Sequence, residues 1–370
     1  MKGNKTLVPG NGIVAKPCVD YLLRSDANIL KVACRTLSMA EMVVAARHCA
    51  KAIALDVTSP ELDRHIAEHG LVISLVFFTH HTDIIRSAIK GKTDVVTMSY
   101  VSPAMRELAE AAKEAGITVL NDVGMDPVIN HLYAINTIGE VHDKGGKVKE
   151  FYSFCGGPPA PEGSDNPLRF KFSWSPRGAH LSWYNSATFL RDGKVVEIPN
   201  KYLMAEAKPY HVLDGYSFLA YPNRDPVLFR EAYGIPEAHT VIWGSLRYEG
   251  NPALVKASID LGWIDTETPW LKDGLTWAQI QKQATGVEST AELDLISRVD
   301  QLCTFPPLTN NTITTPLEPF GELDGYSAIS KSVGVTCGIA TRLLLNEFAP
   351  LNNPGVWAPY SSEICDVIPV

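Results

Sequence analysis

The chain has 370 residues, a length that fits about two globular domains of roughly 150 residues each. Hydrophobic residues make up 45% and charged residues 20%, close to the average of folded globular proteins, which excludes an extended disordered chain. The net charge of −8 comes without a block of Lys and Arg, so we expect no binding to nucleic acid.

The apolar segments are too short for a membrane protein. The longest nearly apolar run covers residues 71–78, whereas a bilayer span needs about 18 residues, and residues 1–5 lead into no signal-peptide core. The seven cysteines are odd in number, scattered, and never form Cys-x-x-Cys, which argues against a disulfide framework or a thiolate metal site. We therefore expect a soluble, cytoplasmic protein with reduced cysteines, no metal and no membrane partner.

The first predicted elements are a strand, a glycine turn and a helix. Residues 5–8 form the strand, and residues 14–24 form the helix. Between them, Gly10 permits a tight turn, Gly12 lets the backbone approach a pyrophosphate, and Ala15 allows close packing of helix on strand. The pattern is typical of a dinucleotide site, and a glycine turn without a ligand is the alternative.

Further strands and helices alternate after this turn. Apolar strands are predicted at residues 29–34, 52–56, 71–76, 94–99 and 117–121. Amphipathic helices are predicted between them at residues 38–49, 81–90 and 103–115. This alternation indicates an α/β fold with a parallel sheet covered on both faces, which is the Rossmann arrangement.

The end of the second strand selects the cofactor. An acidic residue there binds the ribose 2′-hydroxyl of NAD, whereas a basic residue accommodates the 2′-phosphate of NADP. The sequence reads Ala-Cys-Arg-Thr, with Arg35 able to pair with a phosphate and Thr36 adding a hydroxyl. We therefore predict NADP as the cofactor. The alternative is that Arg35 only caps a surface turn.

A series of sequence blocks then resembles one known family. The blocks are residues 33–37, 94–105, 124–127, 131–134, 154–157, 164–168, 171–175, 207–210, 221–225, 246–248 and 325–328. In this order they resemble the saccharopine reductase family, the L-glutamate-forming saccharopine dehydrogenases of the fungal lysine pathway. The resemblance covers most of the chain.

The resemblance implies a Rossmann NADP-binding domain and a second, α+β substrate domain with a mixed sheet. We place the first domain at residues 1–130, the substrate domain at 131–321, and a C-terminal segment that returns to the Rossmann domain at 322–370. The sequence agrees on the return, because residues 326–345 read as a helix with apolar positions suited to packing on the first domain.

The resemblance also implies an NADPH-dependent oxidoreductase that reduces a C=N bond. The simplest substrate is the imine of L-glutamate and aminoadipate semialdehyde, which gives saccharopine. A diverged imine reductase with another amine and aldehyde, or a non-catalytic NADP-binding scaffold, are the alternatives. The expected partners are small amino-acid or aldehyde substrates, and homodimer formation stays open.

Carboxylates on the substrate call for arginine clamps. Arg224, in a matched block, is the best candidate for a bidentate contact, and Arg247 is a second. An ion pair between Arg224 and Asp225 would be a purely structural alternative. Asn130 stands where the family has Asp, in Val-Ile-Asn-His instead of Gly-Ile-Asp-His, and is expected on the substrate side of the cleft.

Three further residues are candidates for contact with the reacting atoms. Tyr100 follows the fifth strand, at the sheet edge where ligands of α/β folds bind. Asp126 could pair with the substrate nitrogen or cap a helix before Pro127. Cys155 could line the nicotinamide pocket or be a buried inert thiol. His131 is an alternative acid, although a buried structural histidine is the commoner case.

Other departures from the family concern charge and size. An arginine usual in the family is replaced by Tyr184, while Arg169 replaces a usual glycine, so positive charge is redistributed. Phe77 and Phe78 replace a more polar pair that contains proline. The stretch at residues 304–319 replaces a longer segment, so we expect the second domain to have lost part of a layer. These differences bear on the substrate more than on the cofactor.

Overall fold

The computed structural model describes residues 4–45, 47–173, 175–264, 274–301, 326, 328–346, 348–351 and 353–358. Contacts between Cα atoms divide the chain into two compact units. The first unit combines Met1–Lys144 with Pro319–Val370, and the second consists of Gly145–Glu318. Residues 304–319, where the sequence predicts the shortening, lie outside the described residues.

The first unit up to Lys144 alternates strands and helices. Its strands are β1 (Lys5–Pro9), β2 (Ile29–Cys34), β3 (Ala50–Ala54), β4 (Leu71–Ser74), β5 (Asp94–Thr97) and β6 (Thr118–Leu120). Its helices are α1 (Ala15–Leu22), α2 (Leu37–Val44), α3 (Glu61–Ala67), α4 (His81–Gly91), α5 (Pro103–Arg106), α6 (Ala109–Ala115) and α7 (Asn130–Asp143).

These strands form a parallel sheet in the order β6-β5-β4-β1-β2-β3. The order is that of a doubly wound dinucleotide-binding fold. Successive residues of one strand enter opposite apolar clusters: Leu7 packs on one face and Val8 on the other, as do Val72 and Ile73. Both faces are therefore buried, and the predicted Rossmann arrangement is confirmed.

Element ends differ locally from the sequence-based limits. The helix predicted at residues 103–115 is divided into α5 and α6, because the Leu108 N–H bonds to the Met105 carbonyl only three residues back and tightens the turn. Helix α2 ends early because Ala45 adopts a left-handed backbone (φ 47°). The first unit also extends past residue 130, since Leu132 of α7 belongs to its apolar core. The limits of the functional domains stay a prediction.

The second unit contains a mixed sheet. Its strands are β7 (Glu150–Cys155), β8 (Ala187–Arg191), β9 (Lys194–Ile198), β10 (Lys208–Pro209), β11 (Phe218–Pro222) and β12 (Thr240–Tyr248). Its helices are α8 (Pro176–Ser182), α9 (Phe229–Ala232), α10 (Asn251–Asp260), α11 (Trp277–Thr285) and α12 (Glu292–Gln301). The antiparallel order is β10-β11-β12-β8-β9, and β7 pairs in parallel with β12. The predicted mixed sheet is confirmed.

The C-terminal segment contributes a helix and a strand to the first unit. Helix α13 (Ala328–Leu345) fills most of the predicted residues 326–345, and strand β13 (Gly355–Trp357) pairs in parallel with β6 at the sheet edge. Tyr326 joins the first unit as well, because Lys16 of α1 donates a hydrogen bond to its hydroxyl at 3.0 Å.

Helix α13 packs on α1 through glycines. A Cβ atom at Gly334 would lie 2.6 Å from both the Val14 carbonyl oxygen and Cγ of Pro17. A Cβ atom at Gly338 would lie 2.8 Å from the ring of Tyr21. Since backbone and ring atoms occupy this space, only glycine allows the two helices to approach so closely.

The described cysteines are free thiols: Cys18, Cys34, Cys49, Cys155 and Cys337. None of the helices within the described ranges combines the length and the apolar character that a bilayer span requires.

We expect Gly334→Ala to destabilise the protein by about 1–3 kcal/mol, because the new methyl group must displace backbone of α1. Gly139→Ala is the matched control: Gly139 lies inside helix α7, no atom lies within 4 Å of its Cβ position, and alanine should stabilise the helix by up to about 1 kcal/mol. Urea unfolding of both variants measures the difference. Equal effects would show that the α1–α13 contact tolerates a side chain.

Candidate functional site

The glycine turn after β1 has the geometry that a bound dinucleotide needs. Gly10 has φ 116°, and a Cβ atom there would lie 2.5 Å from the carbonyl oxygen of Leu75. No other residue fits at this position, because Leu75 is held there by its N–H bond to the Pro9 carbonyl at 2.9 Å. The backbone that follows β1 therefore passes close to the backbone that follows β4.

Gly12 and the start of α1 leave room for an anion. A Cβ atom at Gly12 would meet no protein atom within 4 Å, so the space above its Cα is open. No side chain caps the first amides of α1, and Ala15 is completely buried against the sheet. The Ala15 N–H donates to the Gly12 carbonyl at 2.9 Å and Pro17 has no N–H, so the Lys16 N–H and the open turn at Gly12 remain for a pyrophosphate group.

Arg35 and Thr36 stand at the end of β2, both exposed. Arg35 makes no hydrogen bond or ion pair with any residue that the structure describes, and the Thr36 side chain does not cap α2. The neighbouring acid, Asp56, accepts hydrogen bonds from the N–H and hydroxyl of Thr58; these bonds and, less strongly, the charge of Arg35 lower its pKa. The guanidinium of Arg35 is thus available for an external phosphate.

Three predicted residues lie together in the first unit: Tyr100, Asp126 and Asn130. The Tyr100 hydroxyl donates to Asp126 Oδ1 at 3.0 Å, and the Asn130 amide donates to the same oxygen at 3.3 Å. Asp126 sits in a wide helical turn, Met125–Ile129, with an extended backbone (φ −114°, ψ 104°). All three side chains are half-buried, so they form a polar cluster accessible to a small molecule.

His81 lies in the core below this cluster and contacts Ser99, the residue before Tyr100. His81 begins α4 and is only 2% exposed. Its Nδ1 lies 2.7 Å from Ser74 Oγ at the end of β4, and its Nε2 lies 2.8 Å from Ser99 Oγ beside Tyr100. Burial, together with the charge of His80, lowers the pKa of His81 to about 4, so the ring is neutral at neutral pH. Sequence reasoning placed His81 only at a helix start; the His-His pair after a buried strand was the available signal.

His131 does not suit the role of an acid. Its side chain is completely buried, and burial lowers its pKa to about 3. The imidazole is therefore neutral at neutral pH and a poor proton donor.

In the second unit, Arg224 follows β11 with a left-handed backbone (φ 63°), which is uncommon for residues other than glycine. The Thr188 N–H donates a hydrogen bond to the Arg224 carbonyl at 2.9 Å, and Ala187 and Arg224 form an isolated β-bridge. Asp225, the possible structural partner, accepts a hydrogen bond from the Val227 N–H at 3.0 Å. The exposed Arg224 side chain thus extends from a fixed, strained backbone.

Arg247 and Cys155 lie on neighbouring strands of the same sheet. The Arg247 guanidinium lies 5.2 Å from the centre of the Phe170 ring, and its buried Nε has no hydrogen-bond partner among the described residues. Cys155 ends β7, half-buried, opposite Ser245 of β12. The next residue, Gly156, is required because a Cβ there would lie 2.6 Å from the Leu246 carbonyl oxygen.

Two exposed groups bring three possible metal-ligand atoms within 4.8 Å of one another. The groups are Asp26 with His48 and Cys49, and Glu150 with Asp192 and His239. Exposed acidic groups commonly lie this close without an ion, so the geometry assigns no metal to either.

Comparison with known proteins covers almost the entire chain. Residues 6–120 match the family model described as saccharopine dehydrogenase NADP binding domain, and residues 124–368 match the saccharopine dehydrogenase C-terminal domain. The solved structure of apo saccharopine dehydrogenase (L-Glu forming) from Saccharomyces cerevisiae superposes with a TM-score of 0.85 at 40% identity, covering 99% of this chain and 96% of that one.

Relatives of known name agree with this match. Saccharopine dehydrogenase (NADP(+), L-glutamate-forming) from Saccharomyces cerevisiae is 40% identical over 430 aligned positions, with 99% of this chain and 96% of the relative covered. The Schizosaccharomyces pombe protein of the same name is 39% identical, with 97% and 94% covered. The alignment of 430 positions exceeds the 370 residues of this chain, so the Saccharomyces protein carries residues without a counterpart here.

We expect the stability of the protein to fall as the pH drops from about 6.5 to 4, because the unfolded state then binds a proton that folded His81 does not. The loss assigned to His81 is roughly 3 kcal/mol at the acid end. His81→Asn should flatten this part of the pH dependence. Urea unfolding between pH 4 and 7 measures it.

His48→Asn is the control, since the His48 side chain is 82% exposed. It should leave the pH dependence as in the unmodified protein. Parallel curves for His81→Asn and the unmodified protein would mean that His81 is not held neutral by its surroundings.

Proposed function

The chain belongs to the saccharopine dehydrogenase family, and from this membership we propose that it is an NADPH-dependent reductase of the imine formed by L-glutamate and aminoadipate semialdehyde. The product is saccharopine. One observation carries the proposal: 40% identity to an NADP-dependent, L-glutamate-forming saccharopine dehydrogenase over 99% of this chain and 96% of that protein.

The first unit supplies the cofactor site. Gly12 and the uncapped start of α1 hold the pyrophosphate, while Gly10 and Ala15 give the turn its close packing. Arg35 pairs with the 2′-phosphate, and Thr36 adds a hydroxyl contact. Bound NADPH supplies a hydride for the carbon of the C=N bond.

The cluster of Tyr100, Asp126 and Asn130 serves the substrate nitrogen. The two side-chain donors fix the carboxylate of Asp126, which pairs with the positive iminium nitrogen. When the carbon receives the hydride, the C=N π electrons become a lone pair on nitrogen, and water protonates the resulting amine. The protein therefore positions and stabilises the iminium and forms no covalent bond with the substrate.

The second unit supplies groups for substrate binding. Arg224 makes a bidentate contact with a substrate carboxylate, and Arg247, whose buried Nε has no partner among the described residues, is a second carboxylate contact. Cys155, at the end of β7, contacts the substrate as a small, polarizable side chain.

A second candidate function is the same reduction with another amine or aldehyde. The contact between Asn130 and Asp126 favours it: the amide donates a hydrogen bond here, whereas the aspartate that the sequence comparison places in the family could not donate while ionised. The polarity of the site beside Asp126 is therefore changed.

Steady-state oxidation of NADPH distinguishes these candidates. L-glutamate with aminoadipate semialdehyde should give the highest kcat/KM in a panel of amine and aldehyde pairs, and each compound alone is the control. A better pair would support the second candidate. No oxidation of NADPH with any pair would contradict both.

We expect NADPH to bind at least roughly tenfold more tightly than NADH, which is about 1.4 kcal/mol, because Arg35 pairs with the 2′-phosphate. Arg35→Ala should abolish the preference. Arg64→Ala, an exposed arginine of α3 that pairs with Glu68, should keep it. Fluorescence titration measures both affinities. Equal affinities in the unmodified protein would show that Arg35 does not select the cofactor.

We expect Arg224→Ala to lower kcat/KM, mainly by raising KM, because a substrate carboxylate loses its charged partner. The decrease should correspond to about 1.5–3 kcal/mol of lost transition-state stabilisation. Arg224→Lys should restore part of it, since an ammonium lacks the two-pronged contact. Cofactor affinity should not change.

Arg191→Ala, which removes an arginine stacked on Phe189 in the same unit, is the control for Arg224→Ala. Melting curves detect misfolding. A normally folded Arg224→Ala variant with unchanged kinetics would remove Arg224 from the substrate site.

A further inference from the structure

The second unit contains a surface cleft of about 410 Å³, and none of its lining residues belongs to the proposed cofactor site or to the proposed substrate contacts. The residues that line it are Ser164, Asp165, Asn166, Pro167 and Arg169. Its volume is at the low end of the range for small-molecule sites.

The loop that forms the cleft is fixed at both ends. The Tyr248 hydroxyl donates to the Pro159 carbonyl at 3.0 Å, and the side-chain amide of the fully buried Asn251 donates to the Leu168 carbonyl at 2.7 Å. Strand β12 and helix α10 therefore hold the loop in one conformation. Such a cleft exists before a ligand binds, which lowers the entropy cost of binding.

Asn166 fixes the centre of the loop. Its Nδ2 donates to the Gly163 carbonyl at 3.2 Å, and its Oδ1 accepts from the Phe170 N–H at 3.3 Å. Its own carbonyl accepts from the Arg169 N–H at 2.8 Å. The side chain of Asn166 is uncharged and bonds within the loop. The charged side chains of the cleft are those of Asp165 and Arg169.

Asp165 and Arg169 are both exposed and have opposite charges. Neither side chain makes a hydrogen bond or an ion pair with any residue in the described part of the chain. The Arg169 side chain lies across Gly250, with Nε 3.4 Å from the position of a Cβ atom there. The two charges thus share one cleft without neutralising each other.

The backbone of Arg169 is strained. Its φ of 46° lies in the left-handed region, which disfavours side chains. Glycine would remove the strain. A strained arginine whose guanidinium makes no hydrogen bond or ion pair with the described residues is typical of a functional position.

We propose that this cleft binds the α-amino-acid head group of the aminoadipate semialdehyde substrate, with Arg169 contacting the carboxylate and Asp165 the ammonium. The inference rests on the proposed function. A ligand with only a carboxylate is repelled by Asp165, and a ligand with only an ammonium is repelled by Arg169. A zwitterion satisfies both charges, and the guanidinium gives its carboxylate a two-pronged contact.

Calorimetric titration of the full chain tests the proposal with two probes. L-2-aminoadipate carries the head group, and adipate lacks the ammonium. The unmodified protein should bind L-2-aminoadipate more tightly than adipate, and both Arg169→Gly and Asp165→Asn should weaken this binding by roughly tenfold or more. Asp165→Asn should bind adipate more tightly than the unmodified protein, because the repelling charge is gone.

Two controls separate charge and backbone effects from the cleft. Lys92→Gly also removes a positive charge from a left-handed position (φ 49°), but in the first unit. Glu162→Gln removes a negative charge close to the loop from a side chain outside the cleft. Both should bind the probe like the unmodified protein. Arg169→Gly should melt at the same temperature or higher, so loss of binding cannot come from unfolding.

Kinetics distinguish failure of this inference from failure of the proposed function. In an active enzyme, Arg169→Gly should raise KM for aminoadipate semialdehyde roughly tenfold and leave kcat and KM for L-glutamate nearly unchanged. Active enzyme with unchanged KM and unchanged probe binding would overturn the cleft assignment only. Binding that depends on Arg169, without turnover of any amine and aldehyde pair, would overturn the function and leave the cleft assignment standing.

Discussion

Burial of the parallel sheet on both faces is the constraint that organises the first unit. Because apolar clusters cover both faces, the central strands offer little solvated surface on which polar side chains could gather. Thr6, Lys31 and Lys51 lie within β1, β2 and β3, but the polar groups of the site lie where strands end. Gly10, Arg35, Ser74, Tyr100 and Asp126 all follow or close this edge, so fold and site share one physical cause.

The same constraint makes a buried polar contact necessary. The ends of β4 and β5 bury the hydroxyls of Ser74 and Thr97, and the Ser99 hydroxyl is half-buried beside them; a buried polar group without a partner is costly. The neutral ring of His81 satisfies them: Ser74 lies 2.7 Å from Nδ1, and Ser99 and Thr97 lie 2.8 and 3.2 Å from Nε2. Since Ser99 precedes Tyr100, the core contact also sets the position of the tyrosine that holds Asp126.

Sequence patterns predicted the parts that depend on local interactions. Strand β2 lies at the predicted residues 29–34, and the alternation of elements, the glycine turn and the mixed second sheet follow from periodicity or from the family resemblance. The contacts of His81 and the shared oxygen of Asp126 were beyond such reasoning, because they join residues up to 26 positions apart. Periodicity assigns a residue to a face but does not identify its partner.

Backbone conformation is the other feature that the sequence did not predict. Arg224 and Arg169, both in the second unit, have φ values of 63° and 46°. At Arg224 nothing in the residue pattern indicates this conformation, since it is imposed by neighbouring strands; at Arg169 the resemblance, which implies a usual glycine there, was the available signal. The Arg224 carbonyl accepts a hydrogen bond from the Thr188 N–H, and the Arg169 N–H donates one to the Asn166 carbonyl. In both places contacts within the fold stabilise an unfavourable backbone conformation. A long cationic side chain therefore extends from a fixed backbone. A fixed backbone does not have to be ordered when the substrate binds, so only the rotamers of the side chain lose entropy, which favours recognition of a small charged substrate.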